Sequence, residues 1–365
     1  MSAGCYHPRV GPSERLVLFG TYTGGGSEGI YAARFDGATG RLGAPWLAAA
    51  TPNPSFLAVD EGRRLVYAVN ETDDFEGRAS GAVSSFALEP DGRLRFLSRR
   101  PSLGATPCHL SLDRSGSRVL VANYHGGSVA VLPVAEGRLE PAGCHIQHVS
   151  TPGPGDRQAS PRAHCVTLDA AERFAFVADL GLDQVCAYRF DRDGGALVPH
   201  ALPFVSQPPG SGPRHLAFHP DGSRAFLVSE RSCTVTAFDY DPERGSLRET
   251  CCVSTLPAES RPGPDDTGAA LQVHPGGRFL YVSNRGPDSI AVFSIEGSRL
   301  ALVECVPAGG RTPRHCAVAP DGRHLIAAHQ GSGSVAVFAV DPSSGRLAAT
   351  GATLALPSPV CVAFI

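Results

Sequence analysis

A pattern of three short apolar strands recurs along this chain about every 50 residues, and it leaves few architectures open. Copies of the first strand are SFLAVD (55–60), HLSLD (109–113), HCVTLD (164–169), HLAFHP (215–220), ALQVHP (270–275) and HCAVAP (315–320). A seventh, VCVAFI (360–365), ends the chain. Turn pairs such as Asp221-Gly222, Gly276-Gly277 and Asp321-Gly322 follow them, as tight hairpins require. Second strands come next (LVYAVN, VLVANY, FAFVAD, AFLVSE, FLYVSN, LIAAHQ), and then third strands such as GAVSSFAL, GSVAVLPV and GSVAVFAV.

The seventh first strand has no successor. The N-terminal region begins instead with a second strand, LVLFGTY (16–22), and a third, GIYAARF (29–35), that lack a first. Joining the two ends completes one more unit and removes the open edge that a linear array would expose. The expectation is an all-β, seven-bladed β-propeller with four antiparallel strands per blade. The C-terminal strand pairs with the N-terminal strands in one blade. The propeller is expected over residues 16–365 as a single domain, preceded by a flexible segment, residues 1–15.

Composition removes several functional classes. The net charge of −3, without a basic run, argues against nucleic acid and membrane surfaces as partners. All 32 basic side chains are Arg, which excludes Schiff-base and P-loop lysine chemistry. No apolar run has transmembrane length, and the opening residues lack the apolar core of a signal peptide, so a cytoplasmic location is expected. The 11 cysteines are scattered and lie mostly within apolar strands, as small core residues do in a reducing compartment. The Cys251-Cys252 pair and the His145/His148 spacing are too isolated for zinc; no metal and no cofactor are expected.

Strand direction sorts the polar residues. The start of each first strand and the end of each second strand share one face near the central axis. First-strand starts bring His109, His164, Arg214-His215 and Arg314-His315 there. Second-strand ends add Asn70-Glu71, Asn123-Tyr124, Asp179, Glu230, Asn284-Arg285 and His329-Gln330. Imidazoles, guanidinia and carboxylates around one channel suit an anionic ligand and acid–base chemistry. A repeated His also serves in propellers as a hydrogen-bonded tie between neighbouring loops. The string Gly25-Gly26-Ser27-Glu28-Gly29 matches a nucleophile elbow in letters only, because no helix follows it. GTYTGGG is likewise a loop between strands and not a phosphate cradle. Asn70-Glu71-Thr72 is a glycosylation sequon in letters alone.

At these residues the chain resembles the propeller-type 6-phosphogluconolactonase family, which includes carboxymuconate-lactonising enzymes. The markers run from about residue 16 to the end: GTYTGGGSEGIY, PCHLSLD, VANYHGGSVAVLP, PRAHCVTLD, GPRHLAFHPDG, RFLYVSNRGPDSIAVF, TPRHCAVAPDG and SPVCVAFI. The resemblance implies a catalytic set of His164, Arg214, Glu230 and Arg285; Asn123, His109, His215, Arg314, His315 and Asn284, on the same face, are the expected substrate-binding residues. It implies hydrolysis of a phosphorylated sugar lactone, most directly 6-phosphogluconolactone. In that reading Glu230 or His164 is the general base, and Arg214 and Arg285 hold the oxyanion or an anionic substituent. A lactonising cycloisomerase and a non-enzymatic scaffold are the alternatives, and monomer and dimer both stay open. Three positions depart from the family pattern: Ala270 in place of Glu, His329 in place of Asn, and Arg231 in place of an apolar residue.

Overall fold

A computed structural model describes residues 14–150 and 160–365. Seven antiparallel sheets form the seven blades of a propeller, each following the next in sequence. Five sheets have the strand order expected for four-stranded blades. In the first and third blades the outermost strand is broken in two: Arg41–Leu42 with Trp46–Ala50, and Arg138–Leu139 with Cys144–Gln147.

Closure is as the two unpaired ends require. Pro359–Phe364 is the innermost strand of blade 1 and pairs with Glu14–Thr21, in the register Phe19↔Val362 and Gly20↔Cys361. The backbone N–H of Ile365 donates to the Leu16 carbonyl at 2.8 Å, so the last residue is tied in. The expected flexible segment lies outside the described residues up to residue 13. Its last two members, Glu14 and Arg15, belong instead to a strand and pair with Asp36 and Phe35.

Each blade is covered on both faces by its neighbours, which explains the hydrophobic patterning. Leu65–Asn70 is buried at every position, whereas Ala196–Ser206, an outermost strand, is mostly exposed. The core is therefore a ring of inter-blade layers. Val17, Phe19 and Phe35 of blade 1, for example, pack on Ile326, Ala328 and Val337 of blade 7. Burying such side chains contributes about 1.5–3 kcal/mol each.

A polar residue at the last register position of the second strand ties each of several blades to the chain end of the blade before it. Asn70 Nδ2 donates to Thr51 Oγ1 and the Pro52 carbonyl, and Asn123 Nδ2 donates to the Ser102 carbonyl. Asn284 Nδ2 donates to the Thr255 carbonyl, while His329 Nε2 meets the Ala308 carbonyl at 2.7 Å. His329 thus performs by its ring what Asn performs in three other blades. Between blades 3 and 4 the tie is ionic: His148 Nδ1 lies 2.7 Å from Asp179 Oδ2, and His148 Nε2 lies 3.0 Å from the Tyr188 hydroxyl.

Burial alone would lower the His148 pKa, but the bonds to Asp179 and Cys186 outweigh it and raise it from 6.5 to about 10. A raised folded-state pKa contributes stability that is complete below the unfolded value and is lost as pH climbs through the folded one. Thermal stability is therefore expected to fall between about pH 6.5 and 10. In His148→Gln that slope flattens, and stability at neutral pH drops by about 3–5 kcal/mol because Asp179 stays buried without its cation. Unfolding midpoints across pH for both proteins check this; a wild-type midpoint with the same pH slope as the variant contradicts it.

Candidate active site

The channel site is built by a repeated irregularity. In six blades the innermost strand carries one extra residue near its start. Pro213 pairs with Ser229 and His215 with Val228, which leaves Arg214 as the surplus. By the same count the surplus is Cys108, His164, Arg314 and Val360 in four other blades, and it falls at Ala269–Ala270 in blade 6. Such a bulge re-aims side chains that strict alternation would send to opposite faces. Cys108, His164, Arg214, Arg314 and Val360 all border one small cavity, together with Ser55 and Glu71.

This register corrects the sequence alignment at one important place. His164 is in line with Arg214 and Arg314, whereas His109, His215 and His315 stand one residue further along their strands. These three imidazoles surround Phe56, with ring centroids 4.1, 6.0 and 5.7 Å from it, and Phe56, His215 and His315 line the cavity. Val166 N–H donates to His109 Nδ1 and Val362 N–H donates to His315 Nδ1, so both rings tie their blade to the next. Burial lowers the pKa of His109 and His315 to about 3, which keeps them neutral. Ala270 shares their register and is fully buried.

A further ring comes from the residues that follow the second-strand ties: Tyr22, Glu71, Tyr124, Leu180, Glu230, Arg285 and Gln330. Glu230 joins two arginines, with Arg214 Nε at 2.9 Å and Arg285 Nη2 at 2.8 Å from the same carboxylate oxygen. Arg214 is 2% exposed and also donates through Nη1 to the Ala269 carbonyl at 2.6 Å and to His215 Nε2 at 3.1 Å. Arg314 donates to the Tyr22 hydroxyl at 2.7 Å, and that hydroxyl donates to Glu71 at 2.9 Å. Of the expected set, the structure thus brings His164, Arg214, Glu230, Arg285 and Arg314 together. Asn123 and Asn284 are fully buried, with amides bonded to backbone and to serine or threonine hydroxyls. They hold the frame on which these side chains stand.

Tyr22, Glu71, Tyr124 and Cys108 complete the site and were not among the expected ligand contacts. Aligning the residue just after each second strand finds the first three, because that column is polar or aromatic in most blades. Ser27, by contrast, is buried in a turn and bonded to Thr21 Oγ1 at 2.6 Å. Arg231 is exposed at the rim, where its charge, like that of Arg162, acts on the Tyr124 hydroxyl.

The electrostatics favour an anion. Burial and the neighbouring Arg285 lower the Arg214 pKa to about 10, so the group stays charged at neutral pH. Burial would raise the Glu230 carboxyl, but Arg285 and Arg214 outweigh it and hold it below the ordinary value. Burial, then Arg214 and Arg314, push His164 well below its usual pKa, leaving a neutral imidazole. His164 Nδ1 and Arg285 Nε are buried without a hydrogen-bond partner among the described residues. Groups left in that state cost about 1–3 kcal/mol each, which a polar ligand would relieve. No set of three or more His, Cys, Asp or Glu placed to hold a metal ion occurs among the described residues. Nor, among them, is any helix long and apolar enough to cross a membrane.

Comparison with known proteins places the chain in a family. The family model "Lactonase, 7-bladed beta-propeller" matches residues 16–364. A 6-phosphogluconolactonase of Bacillus subtilis is 36% identical over 350 residues, which covers 95% of this chain and 97% of the relative. The structure of a periplasmic gluconolactonase from Pseudomonas aeruginosa superposes with a TM-score of 0.89 at 36% identity, covering 97% of this chain and 99% of that one. A crystal structure of a protein from Lactobacillus plantarum gives 0.86 at 30% identity, with 96% and 99% coverage. The chain belongs to the family of seven-bladed β-propeller lactonases.

Proposed function

We propose that this lactonase hydrolyses a phosphorylated sugar lactone, with 6-phosphogluconolactone going to 6-phosphogluconate as in the pentose phosphate pathway. The observation that carries the reading is the charge on the channel: Arg214, Arg285 and Arg314 against Glu71 and Glu230, with His164 neutral. One positive charge is left over at a polar cavity, which suits a substrate with an anionic substituent. Similarity to the Bacillus enzyme supports the same reading. The ten described cysteines are all free thiols, in keeping with the cytoplasm.

In this account Glu230 acts as an anchor. It aligns Arg214 and Arg285, and its lowered pKa makes it a weak proton acceptor. The two guanidinia bind the phosphate or stabilise the oxyanion that forms when water adds to the lactone carbonyl. His164 supplies a neutral hydrogen-bonding ring to the same substrate. Oriented charge of this kind needs no reorganisation during reaction, which is why it is effective in a buried site.

Initial rates on fresh 6-phosphogluconolactone and on δ-gluconolactone, with the spontaneous rate subtracted, test the reading. Faster hydrolysis of the phosphorylated lactone is expected; acceleration of neither lactone contradicts the proposal. Arg214→Ala is expected to lower kcat about a hundredfold or more, equivalent to roughly 3 kcal/mol of transition-state stabilisation. Full activity in that variant contradicts the role given to Arg214.

A further inference from the structure

Two carboxylates border the channel, and their partners differ. A single oxygen of Glu230 receives both Arg214 and Arg285, at 2.9 and 2.8 Å. Glu71 carries no guanidinium among the described residues. Both of its oxygens lie 2.9 Å from the Tyr22 hydroxyl, which in turn accepts Arg314 Nη2 at 2.7 Å. A carboxylate clamped by two cations has little affinity left for a proton. One bonded to a neutral phenol retains lone pairs for a water molecule. Glu71 also borders the same cavity as His164 and Arg214.

We infer that Glu71 is the general base of the hydrolysis, held in place by Tyr22 and Arg314 as positioning residues; this rests on the lactonase reading above. The Glu71 carboxylate takes a proton from water as the water oxygen bonds to the lactone carbonyl carbon. The carbonyl electron pair moves to oxygen, where the Arg214 guanidinium meets the charge. Collapse of the adduct breaks the bond between that carbon and the ring oxygen, and the proton on Glu71 passes to the ring oxygen. One water is consumed, and the new carboxylic acid releases its proton to solvent.

Around Glu71 the charged and titratable groups are Tyr22 from blade 1, Arg314 from blade 7 and Cys108 from blade 3. His164 and Arg214 stand across the cavity. Burial, with Arg214 and Arg314, holds His164 well below its usual pKa, and a general base must be deprotonated to act.

The test is steady-state kinetics across pH with 6-phosphogluconolactone and δ-gluconolactone as the probes. In Glu71→Gln, kcat is expected to fall about 10²- to 10⁴-fold, KM to stay within about threefold, and the acid limb to vanish from the residual rate. Glu71→Asp recovers part of the loss, and Glu230→Gln raises KM instead. Tyr22→Phe, which removes the donor to Glu71 and leaves the carboxylate in place, shifts the acid limb to higher pH. The assignment is overturned by a Glu71→Gln enzyme whose kcat stays within about fivefold of wild type. It is overturned equally by an acid limb that Tyr22→Phe leaves unmoved, which decides the matter if Glu71→Gln does not fold. A wild-type enzyme inactive on both lactones overturns the lactonase reading beneath it; an active wild type with an active Glu71→Gln variant overturns the base assignment alone.

Discussion

One surplus residue at the start of the innermost strand is what the channel chemistry depends on. Strict alternation would point Arg214 and His215 to opposite faces of their sheet. The bulge turns both toward the axis, and its repetition in six blades stacks two rings of side chains instead of one. The outer ring, with His164, Arg214 and Arg314, lines the cavity on the axis. The inner ring, His109, His215 and His315, surrounds Phe56, and its His109 and His315 link blade to blade.

The charges in this cavity persist because each has a fixed answer. Arg214 and Arg285 share Glu230, and Arg314 is answered by Tyr22 and Glu71. Burial lowers the pKa of Arg214 and Arg285 without neutralising Arg214, whereas Tyr22 and Glu71 outweigh burial and raise that of Arg314, so the donors are aimed before a ligand arrives. Rigidity comes from the ring itself. Pairing of the C-terminal strand with Glu14–Thr21 closes the array, and buried ties such as His148–Asp179 fasten one blade to the next.

Most of the architecture was legible because the three inner strands of each blade are buried on both faces and keep their apolar runs. Outermost strands such as Ala196–Ser206 lack that signal, since one side has no neighbour. The axis face was legible from strand direction, which brought His164, Arg214, Glu230, Arg285 and Arg314 to one place. A bulge leaves no mark in a single sequence, so His164 was read in register with His109 and His215 although it belongs with the arginines. Asn123 and Asn284 read as ligand contacts because they stand at the ends of the second strands; in the structure their Nδ2 groups donate to the Ser102 and Thr255 carbonyls of the preceding blade. Glu71 follows a similar Asn, and only its geometry with Tyr22 marks it out.

The central claim is that an anionic lactone, and so its hydroxy-acid product, occupies the channel among the three arginines. A crystal structure of the protein soaked with 6-phosphogluconate tests this most directly. The account predicts the product's phosphate or carboxylate against Arg214, Arg285 or Arg314, with a polar atom meeting the unpartnered Nδ1 of His164. Product bound elsewhere, such as the groove beside Arg99 and Phe96, with the channel left empty would contradict it.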